Sequence, residues 1–200
     1  MSYPGPIAGV DEVGRGCLFG PVVAAAVMLP KSQLSDLQSA GVTDSKQLSA
    51  KQREALTGEI RSRAIALGIG MASVREIDRL NILQASLLAM KRAILKLSVP
   101  PALCLVDGNQ KIPDLPIAQH TLVKGDRASV AIAAASILAK VWRDELICRL
   151  AAKYPEYDLT NNKGYATAKH RQALQKYGPS SQHRRSFAPC RVGEISTLNL

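Results

Sequence analysis

The chain has 200 residues, 46% of them hydrophobic, with a mean hydropathy of +0.00, which is enough for a packed core and excludes a disordered or membrane-embedded chain. A formal net charge of +10 and a pI near 9.7 point to a polyanionic partner. Cys17, Cys104, Cys148 and Cys190 lack the paired spacing of a zinc site or disulfide framework, MSYPGP carries no signal core, and the apolar segments 17–29 and 128–142 are short of a bilayer span, so a reduced, cytoplasmic protein with no membrane segment is expected.

Ile7 to Val10 reads as a short buried strand with Asp11 and Glu12 at its carboxyl end. Gly14-Arg15-Gly16 makes a tight turn whose backbone can come close to a ligand, and Pro21 to Met28 reads as a second strand. Pro30 to Lys46 is a polar loop ending in TDSKQLS, after which Ser49 caps a helix running to about Arg63. Arg63 to Val74 reads as a third strand, and Asn81 to Leu97 as a helix that packs one face on a sheet. Ala102 to Val106 is a further apolar strand, ending in Asp107-Gly108-Asn109. Ile117 to Lys124 is extended, and Gly125-Asp126 opens an amphipathic helix from about Arg127 to Lys153, for which Asp126 is placed to be the N-cap. From Tyr154 onward come a loop, a helix near Ala166 to Tyr177, a Gly-Pro break and the basic segment HRRSF. Residues 151–200 carry eight Lys or Arg against three acids. One compact α/β domain, 1–200, with a basic, mainly helical C-terminal lobe from about 154, is the economical organisation.

Asp11, Glu12, Asp107 and Asp126 therefore come at strand ends and a helix mouth, where ligand sites of open α/β sheets gather. Four like charges in one cleft call for a cation, and oxygen ligands without His or Cys nearby select Mg²⁺ or Mn²⁺. Two such ions about 3.5–4 Å apart are the usual means of cutting a phosphodiester. There is a stereochemical condition, since successive strand residues point to opposite faces. Asp11 and Glu12 share a site only if the strand has ended or is distorted there.

GVDEVGRGCLFGPVVAAAV, TDSKQLS, LVDGN, KGD before SVAIAAASILAKVWRD, GYATAKH and HRRSF together resemble bacterial ribonuclease HII in order and spacing, from Ile7 to Pro189. The resemblance implies a ribonuclease H-like fold, a mixed five-stranded sheet flanked by helices. It implies an endonuclease that hydrolyses the RNA strand of RNA/DNA hybrids and cuts 5′ of single ribonucleotides in duplex DNA, leaving 3′-hydroxyl and 5′-phosphate ends. By resemblance the catalytic, metal-binding carboxylates are Asp11, Glu12, Asp107 and Asp126, and two Mg²⁺ or Mn²⁺ ions serve them. Gly14, Arg15 and Gly16 match the turn that reads the ribose 2′-hydroxyl, and Tyr165 the tyrosine that stacks on the next sugar. Lys46 is either a phosphate contact or a solvated loop lysine, and Arg143-Asp144 reads as a structural or helix-surface ion pair. Val13 and Ala166 depart from the commoner Ala and Gly of the family pattern. A monomer is expected, and the terminal TLNL shows no sliding-clamp motif.

Overall fold

The computed structural model describes residues 5–191. Its centre is a mixed five-stranded sheet of β1 (Ile7–Val13), β2 (Val22–Met28), β3 (Ala66–Ala72), β4 (Leu103–Asp107) and β5 (Ala118–Leu122). The spatial order is β3-β2-β1-β4-β5. β1, β2 and β3 form an antiparallel meander, while β4 runs parallel to β1 and β5 parallel to β4. Around the sheet lie α1 (Leu34–Ser39), α2 (Ala50–Arg63), α3 (Val74–Leu80), α4 (Ile82–Ile94), α5 (Gly125–Ala128), α6 (Val130–Ala151), α7 (Leu159–Asn162) and α8 (Ala168–Tyr177).

Every residue of β2 is buried, as expected for a strand covered on both faces. Ala24, Ala26 and Met28 face the apolar stripe of α4, and Ala25 and Val27 face α6 and α2 on the other side. The β3 segment is rich in Gly because α4 lies directly on it. A Cβ at Gly70 would sit 2.1 Å from the carbonyl oxygen of Ala89. A third cluster joins Leu18 and Phe19, in the loop after β1, to Ile147, Tyr157, Leu159 and Leu174 of the C-terminal helices. The lobe is thus packed onto the loop that follows the first carboxylates.

Several elements differ from the sequence expectations. β1 continues to Val13, so Asp11 and Glu12 lie within the strand. The loop after β2 folds into α1 and two 3-10 turns. The third strand is confined to Ala66–Ala72. At its end Ser73 and Glu76 close a capping box that starts α3. The predicted long helix is two helices, α5 and α6, broken at Ser129, whose extended backbone (φ −137°, ψ 120°) no helix accommodates. Asp126 therefore does not cap α6. It lies inside α5, with its side chain free for other partners.

Candidate active site

The parallel pairing of β1 with β4 stops at Val10–Val106, whereas the antiparallel pairing with β2 runs on to Val13. From Asp11 onward, the β4 side of β1 is an open edge. Asp11 belongs to the face covered by α6, and Glu12 to the face covered by α4, as strand alternation requires. At this edge both carboxylates nevertheless meet Asp107 at the end of β4. One oxygen from each of Asp11, Glu12 and Asp107 lies within 4.8 Å of the others. The strand neither ends nor bulges there, and it is the departure of β4 that admits both faces to one site.

Burial, then the charges of Glu12 and Asp107, push the Asp11 carboxyl well above its usual range. Burial also raises Glu12, against the opposing guanidinium of Arg15, whose Nη1 donates to Glu12 Oε1 at 3.1 Å. Glu12 Oε2 is buried without a partner among the described residues. A cluster of this kind holds its protons tightly and exchanges them for a hard cation.

Asp126 stands one step further out. The N–H of Gly125 donates to Asp107 Oδ1 at 2.7 Å, which fixes α5 against the end of β4. Asp126 is buried, and burial, with the nearby charges of Asp44 and Asp107, raises its carboxyl. Lys46 Nζ lies 3.8 Å from Asp126 Oδ2 while its side chain is mostly exposed. Asp44, which sequence reasoning passed over, shapes this corner. It accepts from the N–H of Lys46 at 3.0 Å and from Arg127 at 3.3 Å.

The Gly14-Arg15-Gly16 turn is held from behind by two fully buried arginines that have no carboxylate partner among the described residues. Arg184 donates to the carbonyls of Gly14, Arg15 and Gly20 at 2.7, 2.8 and 3.0 Å. Arg143 donates to those of Pro21, Phe19 and Lys163 at 3.1, 2.9 and 2.9 Å. Gly14 has φ +89°, and a Cβ there would fall 2.2 Å from Arg143 Nε, so only glycine fits. No described carbonyl accepts from the N–H groups of Gly14, Arg15 or Gly16. Arg15 and Gly16 are exposed, so their donors remain available to a ligand.

One sequence reading is corrected here. Arg143 and Asp144 do not form an ion pair, because Arg143 is drawn into the loop carbonyls and Asp144 pairs with Lys140 at 2.9 Å. The basic segment HRRSF is partly interior, with His183 and Arg184 buried. The N–H groups of Arg185 and Ser186 are tied to Asp78 of α3. Sequence carried no signal for either strut, because buried arginines without acids are rare. Tyr165 is brought beside the turn through Gly164, whose carbonyl accepts from the N–H of Leu18 at 2.8 Å. It is partly exposed, Lys140 Nζ lies 5.4 Å from its ring centroid, and burial lifts its hydroxyl to about 12.

No helix among the described residues is long and apolar enough to cross a membrane. The ribonuclease HII family model matches residues 8–190. The ribonuclease HII of Acaryochloris marina is 64% identical over 186 residues, 93% of this chain and 94% of that protein. The ribonuclease H2 of Pyrococcus horikoshii OT3 superposes with a TM-score of 0.80 at 28% identity, covering 93% of this chain and 95% of that one. The RNase HII found with PCNA in the Archaeoglobus fulgidus complex superposes at 0.71 with 29% identity, over 94% and 98%. The expectation of no clamp contact rests on TLNL, 197–200, which lies outside the described residues. A family match across nearly the whole chain, a shared mixed sheet and three convergent carboxylates lead to one conclusion: the chain belongs to the ribonuclease HII family, metal-dependent endoribonucleases that hydrolyse the RNA strand of RNA/DNA hybrids.

Proposed function

We propose that this chain also cuts on the 5′ side of a single ribonucleotide embedded in duplex DNA, leaving 3′-hydroxyl and 5′-phosphate ends. The observation that carries this reading is the joining of a carboxylate cluster, with ligand oxygens within 4.8 Å, to a glycine turn whose N–H groups are free. Arg15 links the two through Glu12.

Asp11, Glu12, Asp107 and Asp126 are the metal-binding and catalytic groups in this proposal. An all-carboxylate donor set and the unpartnered Glu12 Oε2 fit a hard divalent cation, Mg²⁺ or Mn²⁺. Two such ions, when bound, supply an activated water and compensate charge at the leaving oxygen. The protein's own part is to bind and orient. Backbone N–H groups at 14–16 approach the ribose 2′-hydroxyl, the group that separates RNA from DNA. Tyr165 offers its exposed ring to the neighbouring sugar, with Lys140 beside it. Lys46, exposed at the rim, meets a phosphate. The protein acts as a monomeric single domain, and its four free cysteines suit a reduced cytoplasm.

The test is cleavage of three end-labelled duplexes, with one ribonucleotide, with a full RNA strand and all-DNA, in Mg²⁺, Mn²⁺ or EDTA. One cut 5′ of the ribonucleotide, no cut in all-DNA and none in EDTA are expected. Equal cutting of all-DNA, or an Asp11→Asn variant as fast as wild type, refutes the reading.

A further inference from the structure

Two buried side-chain atoms among the described residues lack a hydrogen-bond partner, Glu12 Oε2 and Ser86 Oγ. They come from different elements, β1 and α4, yet both residues line one cavity of about 30 Å³, together with Leu83, Leu87, Met90 and Asp107. Two residues with unsatisfied oxygens therefore border the same space, next to the carboxylates.

Ser86 is out of place by every local criterion. Its neighbours on the buried stripe of α4 are Ala85, Leu87, Ala89, Met90, Ala93 and Ile94, and it is itself 2% exposed. A serine in mid-helix commonly donates back to the carbonyl four residues earlier, but this hydroxyl has no such bond. Alanine would pack as well without burying an unsatisfied group. The pocket opens past Arg15, Asn109 and Gln110, is polar on the sides of Glu12 and Ser86, and has volume enough for an ordered water.

We propose that Ser86 is a positioning residue for Glu12, acting through a single water held in this cavity. The water accepts from Ser86 Oγ–H and donates to Glu12 Oε2. With Arg15 on Oε1, the carboxylate is then fixed at both oxygens. A carboxylate oxygen has two lone-pair positions, so Oε2 keeps one for a cation. Ser86 thereby sets the rotamer in which Glu12 can join Asp11 and Asp107, as the outer partners of metal ligands do elsewhere. This inference rests on the reading of those carboxylates as a divalent-cation site.

The test is calorimetric titration of the metal-free protein with Mn²⁺, for wild type, Ser86→Ala and Ser86→Thr, each melted beforehand in EDTA. Ser86→Ala is expected to melt within a few degrees of wild type and to bind Mn²⁺ about tenfold more weakly, while Ser86→Thr, which keeps the hydroxyl, binds within about threefold of wild type. Wild-type affinity in Ser86→Ala, or equal weakness in Ser86→Thr, overturns the role of Ser86 and leaves the carboxylate site standing. Absence of Mn²⁺ binding in wild type overturns the site itself and this inference with it. Should Ser86→Ala fail to fold, a high-resolution wild-type crystal structure decides: a water within 3.2 Å of both oxygens supports the inference, and an empty or dry cavity overturns it.

Discussion

Arg184 donates from Nη2 to the carbonyl of Gly14 at 2.7 Å, joining residues 170 positions apart. The contact ties the turn after the first carboxylates to the far end of the described chain. Arg184 makes two further bonds of this kind, and burial lowers its guanidinium to about 10. It stays charged at neutral pH. Arg184→Lys retains the cation but loses the planar fork, and Arg184→Leu leaves three carbonyls short of a donor. Losses of about 2 and about 4 kcal/mol are expected in urea unfolding, on the scale of one to two charge-assisted bonds. Because the turn reads the ribonucleotide in the proposed function, the lysine variant shows a raised KM for a single-ribonucleotide duplex while its kcat changes little.

Asp11 and Glu12 make the metal-free protein sensitive to pH in a defined direction. Both carboxyls are raised in the folded state, chiefly by burial. Groups of this kind support the fold below their unfolded range near 4 and oppose it as pH rises through the folded values. Asp11→Asn removes the conflict. In EDTA it is expected to melt several degrees above wild type at pH 8, with the gap closing at pH 4, and to cleave no substrate. Mn²⁺ raises the wild-type melting temperature at pH 8 and has little effect on the variant.

A buried imidazole pair gives an independent dependence of the opposite sign. His183 Nδ1 accepts from the N–H of Ser180 at 3.0 Å, so its proton sits on Nε2 and is donated to His170 Nε2 at 3.0 Å. His170 Nδ1–H in turn donates to the carbonyl of Tyr165 at 2.9 Å. Both rings are neutral, and burial takes His183 down to about 3. The unfolded chain takes up a proton near 6.5 while the folded chain refuses it. Stability present above pH 6.5 is therefore lost as pH falls toward 3, by about 3 kcal/mol at pH 4. Urea titrations at pH 7 and pH 4 measure the loss, and His183→Gln flattens it. Imidazole nitrogen NMR of the wild type should show the Nε2–H tautomer for His183 and Nδ1–H for His170.

The parts of this molecule that sequence disclosed are those governed by local pattern. The apolar runs around Asp11 and Glu12, the Ser49 cap and the stripe of α4 each follow from spacing and side-chain type within a few residues. The conflict of two adjacent strand carboxylates was also visible, but its resolution lies in β4, which stops pairing with β1 at Val106 almost a hundred residues later. α3 has seven residues, too few for helical periodicity to stand out, and it ends at Asn81, whose positive φ of 71° serves both it and α4. The break at Ser129 falls near the start of the expected helix, ahead of the apolar run from Val130, where spacing carries no signal. The roles of Arg143 and Arg184 were hidden because their partners are backbone carbonyls, which have no sequence signature. Ser86 was silent for the same reason: its meaning depends on what lies across a cavity.

Lys46 separates substrate contact from metal support. Its ammonium is exposed and 3.8 Å from Asp126, a distance at which a surface pair contributes little to stability. Its backbone is nonetheless pinned by Asp44, which holds the 3-10 turn Ser45–Gln47 in place. A lysine presented in this way from an ordered turn meets a phosphate as a point charge. Lys46→Ala is expected to leave the melting temperature and Mn²⁺ affinity near wild type, and to weaken duplex binding similarly for hybrid and single-ribonucleotide substrates. The slope of log K against log salt falls in magnitude by about 1, the signature of one lost phosphate contact. Asp126→Asn behaves in the opposite way, with duplex binding retained and turnover lost. If Lys46→Ala bound the duplex with an unchanged salt slope, the lysine would be only a solvated neighbour of Asp126. If it lost Mn²⁺ affinity instead, its place would be with the carboxylates rather than with the nucleic acid.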